Sequence, residues 1–324
     1  MERQNFRQRD SEVVRSFLEF RRGKDISSLP RLNLGWSNWG FGVEPLAVSV
    51  SRLARNGIRY IELPGNLYGK DLGYKPDEVL AILGDHGIKV SGICGMVYLE
   101  NEFASTNHFA RQLGVDYMRT HIEFCAAVGG RYILFGPCAV GRPKKYDDNE
   151  FQRAADTMRI LGDDFVRHGI RGAIEPVRRD EVSLCHTFAE ARSLIEAINH
   201  PGIQHIAGDV FHMLVGEEHI GTTIVSYGHM MTNLHLADTN RRALGTGMLD
   251  LDIVIMALYV AGYNNDRCFC SPEPLGTGAN PYDQMYGTSD PAMLDELVRQ
   301  TASYFYARER AVLGATDVEL LGAY

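Results

Sequence analysis

The chain has 324 residues, 45% of them hydrophobic and 23% charged, which excludes disordered, collagen-like and coiled-coil classes. Its 33 basic and 41 acidic residues leave a net charge of −8, and an acidic average surface argues against nucleic acid, whose binders must neutralise phosphates. Six cysteines without a CxxC pair read as reduced core residues rather than a disulfide framework. The opening MERQNFRQRD has no apolar secretory segment, and the longest apolar run, Ile253–Ala261, falls short of the roughly twenty residues that span a bilayer. The expectation is a soluble, reduced, cytoplasmic protein with no membrane segment.

In chain order, eight β-rich runs bounded by Gly, Asn, Asp or Pro alternate with helical patterns. The runs are Arg31–Trp36, Arg59–Leu63, Val90–Cys94, Arg131–Gly136, Gly172–Pro176, Ile203–Asp209, Thr232–Asp238 and Arg267–Pro274. Their near-continuous apolar character suits a parallel sheet covered by helices. Among the helices, Pro76 is a favoured first residue before Val79, Leu80, Ile82 and Leu83. Thr187 and Glu190 form a capping-box pattern ahead of the Phe188, Ala191, Leu194, Ile195 and Ile198 stripe. Asp290-Pro291 opens the last long helix, with Leu294, Leu297, Val298 and Phe305 inward.

Strand plus helix recurs eight times at about 35 residues each, the spacing of an α/β protein built as a single (β/α)8 TIM barrel. The predicted boundaries are an N-terminal leader at 1–30, the barrel at 31–311 and a C-terminal tail at 312–324. A doubly wound sheet is the other candidate, but the GxGxxG turn expected after its first strand is absent, so NAD is not expected. The leader carries an amphipathic pattern (Val13, Val14, Phe17, Leu18, Phe20) that suits a helix against the barrel or a partner contact. The segment Gly276–Gly287, GTGANPYDQMYG, lies between strand eight and its helix, on the catalytic face of a barrel.

Barrel chemistry sits at the C-terminal ends of strands. Strand five ends in Glu175, strand six in Asp209, strand seven carries His235 and strand eight ends in Glu273, at spacings of 34, 26 and 38 residues. Any one of these is ordinarily a helix cap or a hydrogen-bonded core group. Four ligand types at one phase of successive units suggest a mixed oxygen and nitrogen site for one divalent ion, Mn²⁺, Mg²⁺ or Co²⁺.

Four motifs are similar to those of the xylose-isomerase-like sugar isomerase/epimerase superfamily, in particular its ketose 3-epimerases of the D-tagatose/D-psicose type. IEPVRRDE (Ile174–Glu181) resembles IEP-x-x-R-x-E, and GDVFHM (Gly208–Met213) resembles D-x-F-H-M. HLADTNRRALGTGMLD (His235–Asp250) resembles H-x-x-E-x-N-R-x-x-x-G-x-G, and PEPLG (Pro272–Gly276) resembles the final E-P. The resemblance implies a TIM barrel whose Glu175, Asp209, His235 and Glu273 hold Mn²⁺ or a similar ion. It implies Glu175 and Glu273 as the acid/base pair, and Glu181, His212 and Arg241 as substrate contacts. Asp238 departs from the pattern, which commonly has Glu there.

The chemistry agrees with these residue types. Removing a proton beside a ketone creates an enediolate that a divalent ion stabilises, and carboxylates on opposite faces can take and return the proton. Arg241 and His212 can hold the developing oxyanion, although a surface ion pair and a helix cap are their plain alternatives. Trp36 and Trp39, at the end of strand one, are either a sugar-stacking wall or packing under a loop. Glu62, ending strand two, either contacts substrate or caps a helix. Arg142, Lys144 and Lys145 read as a solvated basic loop rather than a phosphate site.

The first function expected is a metal-dependent keto-sugar epimerase or isomerase. The second is a lyase that eliminates the aglycone of a 3-keto-glycoside after the same proton abstraction, resembling C-glycoside deglycosidase α-subunits. The leader and the 276–287 loop would suit the small second subunit or bulky aglycone of that reading. A DNA-repair endonuclease of similar fold is disfavoured by the charge and by IELPGN and ICGM, which lack the added histidines. A non-enzymatic sugar-binding barrel would not need both Glu175 and Glu273. The expected partners are a small sugar or keto-glycoside and further copies of the chain as a homo-oligomer.

Overall fold

The computed structural model describes residues 5–65, 74–275 and 290–324. Seven parallel strands follow one another in sheet order: β1 Tyr60–Pro64, β2 Lys89–Cys94, β3 Tyr132–Phe135, β4 Arg171–Ile174, β5 Ile203–Asp209, β6 Met231–Leu236 and β7 Phe269–Pro272. Each is buried over most of its length, as strands covered on both faces must be. Helices run between them, and together they form a nearly closed TIM barrel. No helix among the described residues is long and apolar enough to cross a membrane.

The first expected strand, Arg31–Trp36, is not a strand of the sheet. It makes one isolated bridge to each edge, Leu34 to Cys270 and Ser37 to Glu62. Gly35 N donates to Cys270 O (2.7 Å) and Ser37 N to Pro272 O (3.0 Å), while Glu62 N donates to Trp36 O (2.8 Å). The short 3₁₀ turn Asn38–Phe41 begins at once and ends the pairing before a ladder can build. The segment therefore fills the gap between β7 and β1 without regular strand geometry.

The helices follow the sequence signals closely. Pro76 opens Pro76–Gly84, and Asp290 caps Pro291–Gly314 through Ala292 N. Thr187 Oγ1 accepts from Glu190 N (3.1 Å), but the Glu190 carboxylate takes His186 N (2.6 Å), so only half of the capping box forms. The apolar run lies in helix Leu251–Val260, buried nearly all round. A helix apolar on every side needs cover on every side, and the leader supplies part of it. Helix Asn5–Arg21 lays Val13, Val14 and Phe17 against it, with Phe17 edge-on to Tyr259 at 6.4 Å. Its apolar stripe is thus spent on the barrel's outer surface. The segment 312–324 continues the long helix to Gly314 and then forms helix Asp317–Ala323, whose Tyr324 hydroxyl reaches Asp250 (2.9 Å). The 276–287 loop lies outside the described residues.

Arg142 corrects the reading of a solvated loop. Its guanidinium is buried between Glu102 (2.7 Å) and Glu150 (2.9 Å), with Tyr146 and Ser183 on the same carboxylates. Both carboxylates are inaccessible, and such charges persist inside a protein only when paired and hydrogen-bonded. The cluster ties the turns after β2, β3 and β4 to one another, because Gly141 N also donates to Glu181 O (2.8 Å). All six cysteines are free and buried.

Two outcomes are expected in urea denaturation. Arg142→Met leaves two carboxylates buried without a cation and lowers stability by about 3–5 kcal/mol; a loss under about 1 kcal/mol would show the cluster to be solvent-screened. Phe17→Ala opens a cavity against Tyr259 and costs about 3–5 kcal/mol.

Candidate active site

Four side chains converge at the C-terminal end of the barrel because their strands end there in register. Asp209 pairs with His235 across β5 and β6, and His235 pairs with Ser271 across β6 and β7. Glu175 N still donates to Phe135 O (3.2 Å) and Glu273 N to Leu236 O (2.8 Å), so both glutamates leave from hydrogen-bonded backbone. The cavity there is lined by Trp39, Glu175, Glu181, His212, His235, Arg241 and Glu273. Cys94, Met96, Val140 and Val177 give it an apolar wall.

The centre of the arrangement is a histidine held from behind. His235 Nε2 is 2.7 Å from Glu62 Oε1, so its proton is directed at that carboxylate and Nδ1 faces the cavity. Nδ1 makes no hydrogen bond, yet lies 3.4 Å from Glu273 Oε1 and 3.6 Å from Glu175 Oε1. Burial opposes a charge on the imidazole, but Glu273 and Glu62 outweigh it and hold its pKa well above the usual value. Burial likewise would raise the Glu62 carboxyl, but the His235 charge and hydrogen bonds from His235, Tyr132 and Ser37 hold it below the ordinary range. Glu273 is pushed up to about 8, first by burial and then by Asp209 and Glu175, with His235 and Arg241 opposing.

The donors fall into two adjoining trios among the described residues: Glu62, His235 and Glu273, and Glu175, Asp209 and His212. Within each, one ligand atom per residue lies within 4.8 Å of the others. His235 Nδ1 near Glu175 links the two. Two buried atoms that face this space, His235 Nδ1 and Asp209 Oδ2, lack any hydrogen bond. Unsatisfied buried donors and acceptors are costly, and three carboxylates here crowd one imidazole. That combination fits a divalent cation, which would satisfy Asp209 Oδ2, take the place of a proton on His235 Nδ1 and offset the repulsion among the carboxylates.

The other expected residues separate into two sets. Glu181, His212 and Arg241 line the cavity. Glu181 is 2.5 Å from Arg178 Nε, and His212 Nε2 is 3.3 Å from Asp209 Oδ2. Arg241 Nη2 lies 3.6 Å from Glu273 Oε2, with its guanidinium 4.6 Å over the Phe211 ring. Trp39 lines the cavity too, and its Nε1 donates to Glu273 Oε1. Trp36 does not reach it: the ring is 1% exposed and stacks on Phe41 at 5.6 Å. Glu62 is also turned away. It is inaccessible, and its oxygens accept from Ser37 (2.7 Å), Tyr132 (2.7 Å), Asn233 (3.2 Å) and His235. Tyr132 reaches it only because Gly92 has no side chain, since a Cβ there would lie 2.5 Å from the ring.

Ser37, Tyr132, Asn233 and Phe211 are site residues the sequence reading missed. A signal existed for Asn233: in MTNLHLAD it stands two residues before His235, on the same inward face of a strand. Nothing comparable marks Ser37 or Tyr132.

Known proteins resemble the chain along most of its length. The 3-dehydro-D-guloside 4-epimerase of Escherichia coli strain K12 is 24% identical over 242 residues, 72% of this chain and 89% of that protein. The ketose 3-epimerase of Arthrobacter globiformis is 23% identical over 235 residues, covering 71% and 78%. A solved L-ribulose 3-epimerase superposes with a TM-score of 0.76 at 19% identity, covering 87% of this chain and 96% of that one. The apo 3-keto-D-glucoside 4-epimerase from Escherichia coli gives 0.68 at 22% identity, covering 82% and 99%. These likenesses agree with the barrel described above. The profile of one family, the xylose isomerase-like TIM barrel, matches residues 50–285, most of the chain, and the chain belongs to that family.

Proposed function

We propose that the chain is a divalent-metal-dependent sugar epimerase that removes and returns a proton beside a keto group. The observation that carries the reading is the pair Glu175 and Glu273. They leave β4 and β7, three strands apart, yet both approach the same His235 Nδ1, at 3.6 and 3.4 Å. Two carboxylates from separate strands can reach opposite faces of one carbon, which inversion requires. The epimerase relatives support the reading.

Glu175, Asp209, His235 and Glu273 are the residues that would hold the ion, with Mn²⁺ favoured over Mg²⁺ and Co²⁺ by the mixed donors. When bound, it supplies Lewis-acid stabilisation of the negative charge that develops on the substrate oxygens. Arg241 and His212 add charge-assisted hydrogen bonds to the enediolate oxygens. Glu181 faces the sugar hydroxyls. The Trp39 indole donates to Glu273, which fixes that carboxylate rather than leaving it to swing. Glu62 acts through His235 as a positioning residue and does not touch the sugar. Elimination of an aglycone shares the first proton abstraction, but the leader that would favour it is packed on the barrel's outside.

The test is solvent deuterium exchange, followed by NMR with Mn²⁺, on D-fructose, D-tagatose, L-ribulose and a 3-keto-glucoside. One of these is expected to take up deuterium at the inverted carbon, and Glu175→Gln and Glu273→Gln should each lower kcat by about 10²–10⁴-fold. Exchange that survives in both variants, or aglycone release without an epimer, would overturn the reading. Glu62→Gln is expected to weaken Mn²⁺ binding by about 10–100-fold in a direct titration, because the imidazole loses its anchoring carboxylate; unchanged affinity would remove Glu62 from that role.

A further inference from the structure

Arg241 reaches the cavity from a loop whose backbone is unfavourable for it. Its φ is +56°, in the left-handed region that a Cβ disfavours, and it is one of three such non-glycine residues among those described. Such a conformation persists only where neighbouring contacts over-determine it. Here Arg241 N donates to Asp238 O (2.7 Å), Arg241 O accepts from Leu275 N (2.8 Å), and Asp238 N donates to Arg242 O (3.1 Å).

The Asp238 side chain holds the rest of the loop. It is 1% exposed, and its oxygens accept four backbone N–H groups. Oδ1 takes Thr239 N (2.8 Å) and Leu249 N (3.1 Å), and Oδ2 takes Gly245 N (2.8 Å) and Thr246 N (3.1 Å). Only an acceptor on both arms satisfies that set, so an amide of the same size would turn N–H against N–H. Gly247 leaves room for the carboxylate: a Cβ there would lie 2.3 Å from Asp238 Oδ1 and 2.5 Å from Thr239 Oγ1.

We infer that Asp238 is a positioning residue, which gathers the 239–249 loop and so holds Arg241 in its left-handed conformation against Glu273 and the reacting sugar. The inference rests on the reading of Arg241 as a substrate contact. It assigns a purpose to the position where the chain has Asp in place of the commoner Glu.

Two arms test it. In amide hydrogen exchange without substrate, Asp238→Asn should lose protection across 239–249 while the barrel strands and Tm stay near parental values, and Gly247→Ala should do the same. In kinetics on the sugar that the deuterium screen identifies, Arg241→Ala is expected to lower kcat about 10²-fold, as loss of an oxyanion donor does. Asp238→Asn should lower kcat comparably with a smaller change in KM, and the double variant should be no worse than Arg241→Ala alone. A full additional loss in the double variant, or an unchanged exchange pattern in either loop variant, would overturn the inference. If Asp238→Asn does not fold, Gly247→Ala at its exposed position carries both arms. If the parent turns over none of the sugars, the proposed function fails and hydrogen exchange alone decides the positioning role.

Discussion

Glu62 is a carboxylate with no access to solvent, held by Ser37, Tyr132, Asn233 and His235 from three different parts of the barrel. A buried charge with fewer partners would be strongly unfavourable. Because those partners sit on the closing segment, β3 and β6, the pairing joins three stretches of chain around one point. It also fixes which nitrogen of His235 turns toward the cavity, where Glu175 and Glu273 approach it. The candidate site is thus an outcome of an interaction one layer beneath it.

That layered construction explains which features could be read from the sequence. The strand–helix period, the caps at Pro76 and Asp290, and the strand-end residues Glu175, Asp209, His235 and Glu273 are local patterns, and each depends on only a few neighbouring residues. The segment around Leu34 looked like a strand because it is apolar and follows a proline. Whether it would pair as one depended on the 3₁₀ turn just beyond it. Glu62 was legible as a strand-end acid, but the direction of its carboxylate depended on a tyrosine 70 residues away. Trp36 and Trp39 are separated by two residues, and the turn between them sends one ring to the core and the other to the cavity. Arg142 read as a loop cation because its carboxylate Glu102 is 40 residues distant.

Electrostatics at the mouth is likewise a balance that no single residue determines. Burial acts against the charge on His235 and on Glu273 alike, yet neighbouring carboxylates draw the imidazole toward its charged form while burial draws Glu273 toward its neutral one. Arg241 joins that balance from a separate loop, whose geometry is set by Asp238.

The way the ring closes has a consequence for the order in which the barrel folds. Gly35 bonds to Cys270, and Leu32 N bonds to the Glu309 carboxylate, a partner 277 residues away. The segment that completes the wall lies far ahead of these partners in the chain. Contacts of such long range form slowly, since a large loop must be ordered before they return any stability. Until then β7 is an open edge, and Ser37 has no Glu273 beside it. The barrel therefore completes its candidate site and its last protected edge in the same event.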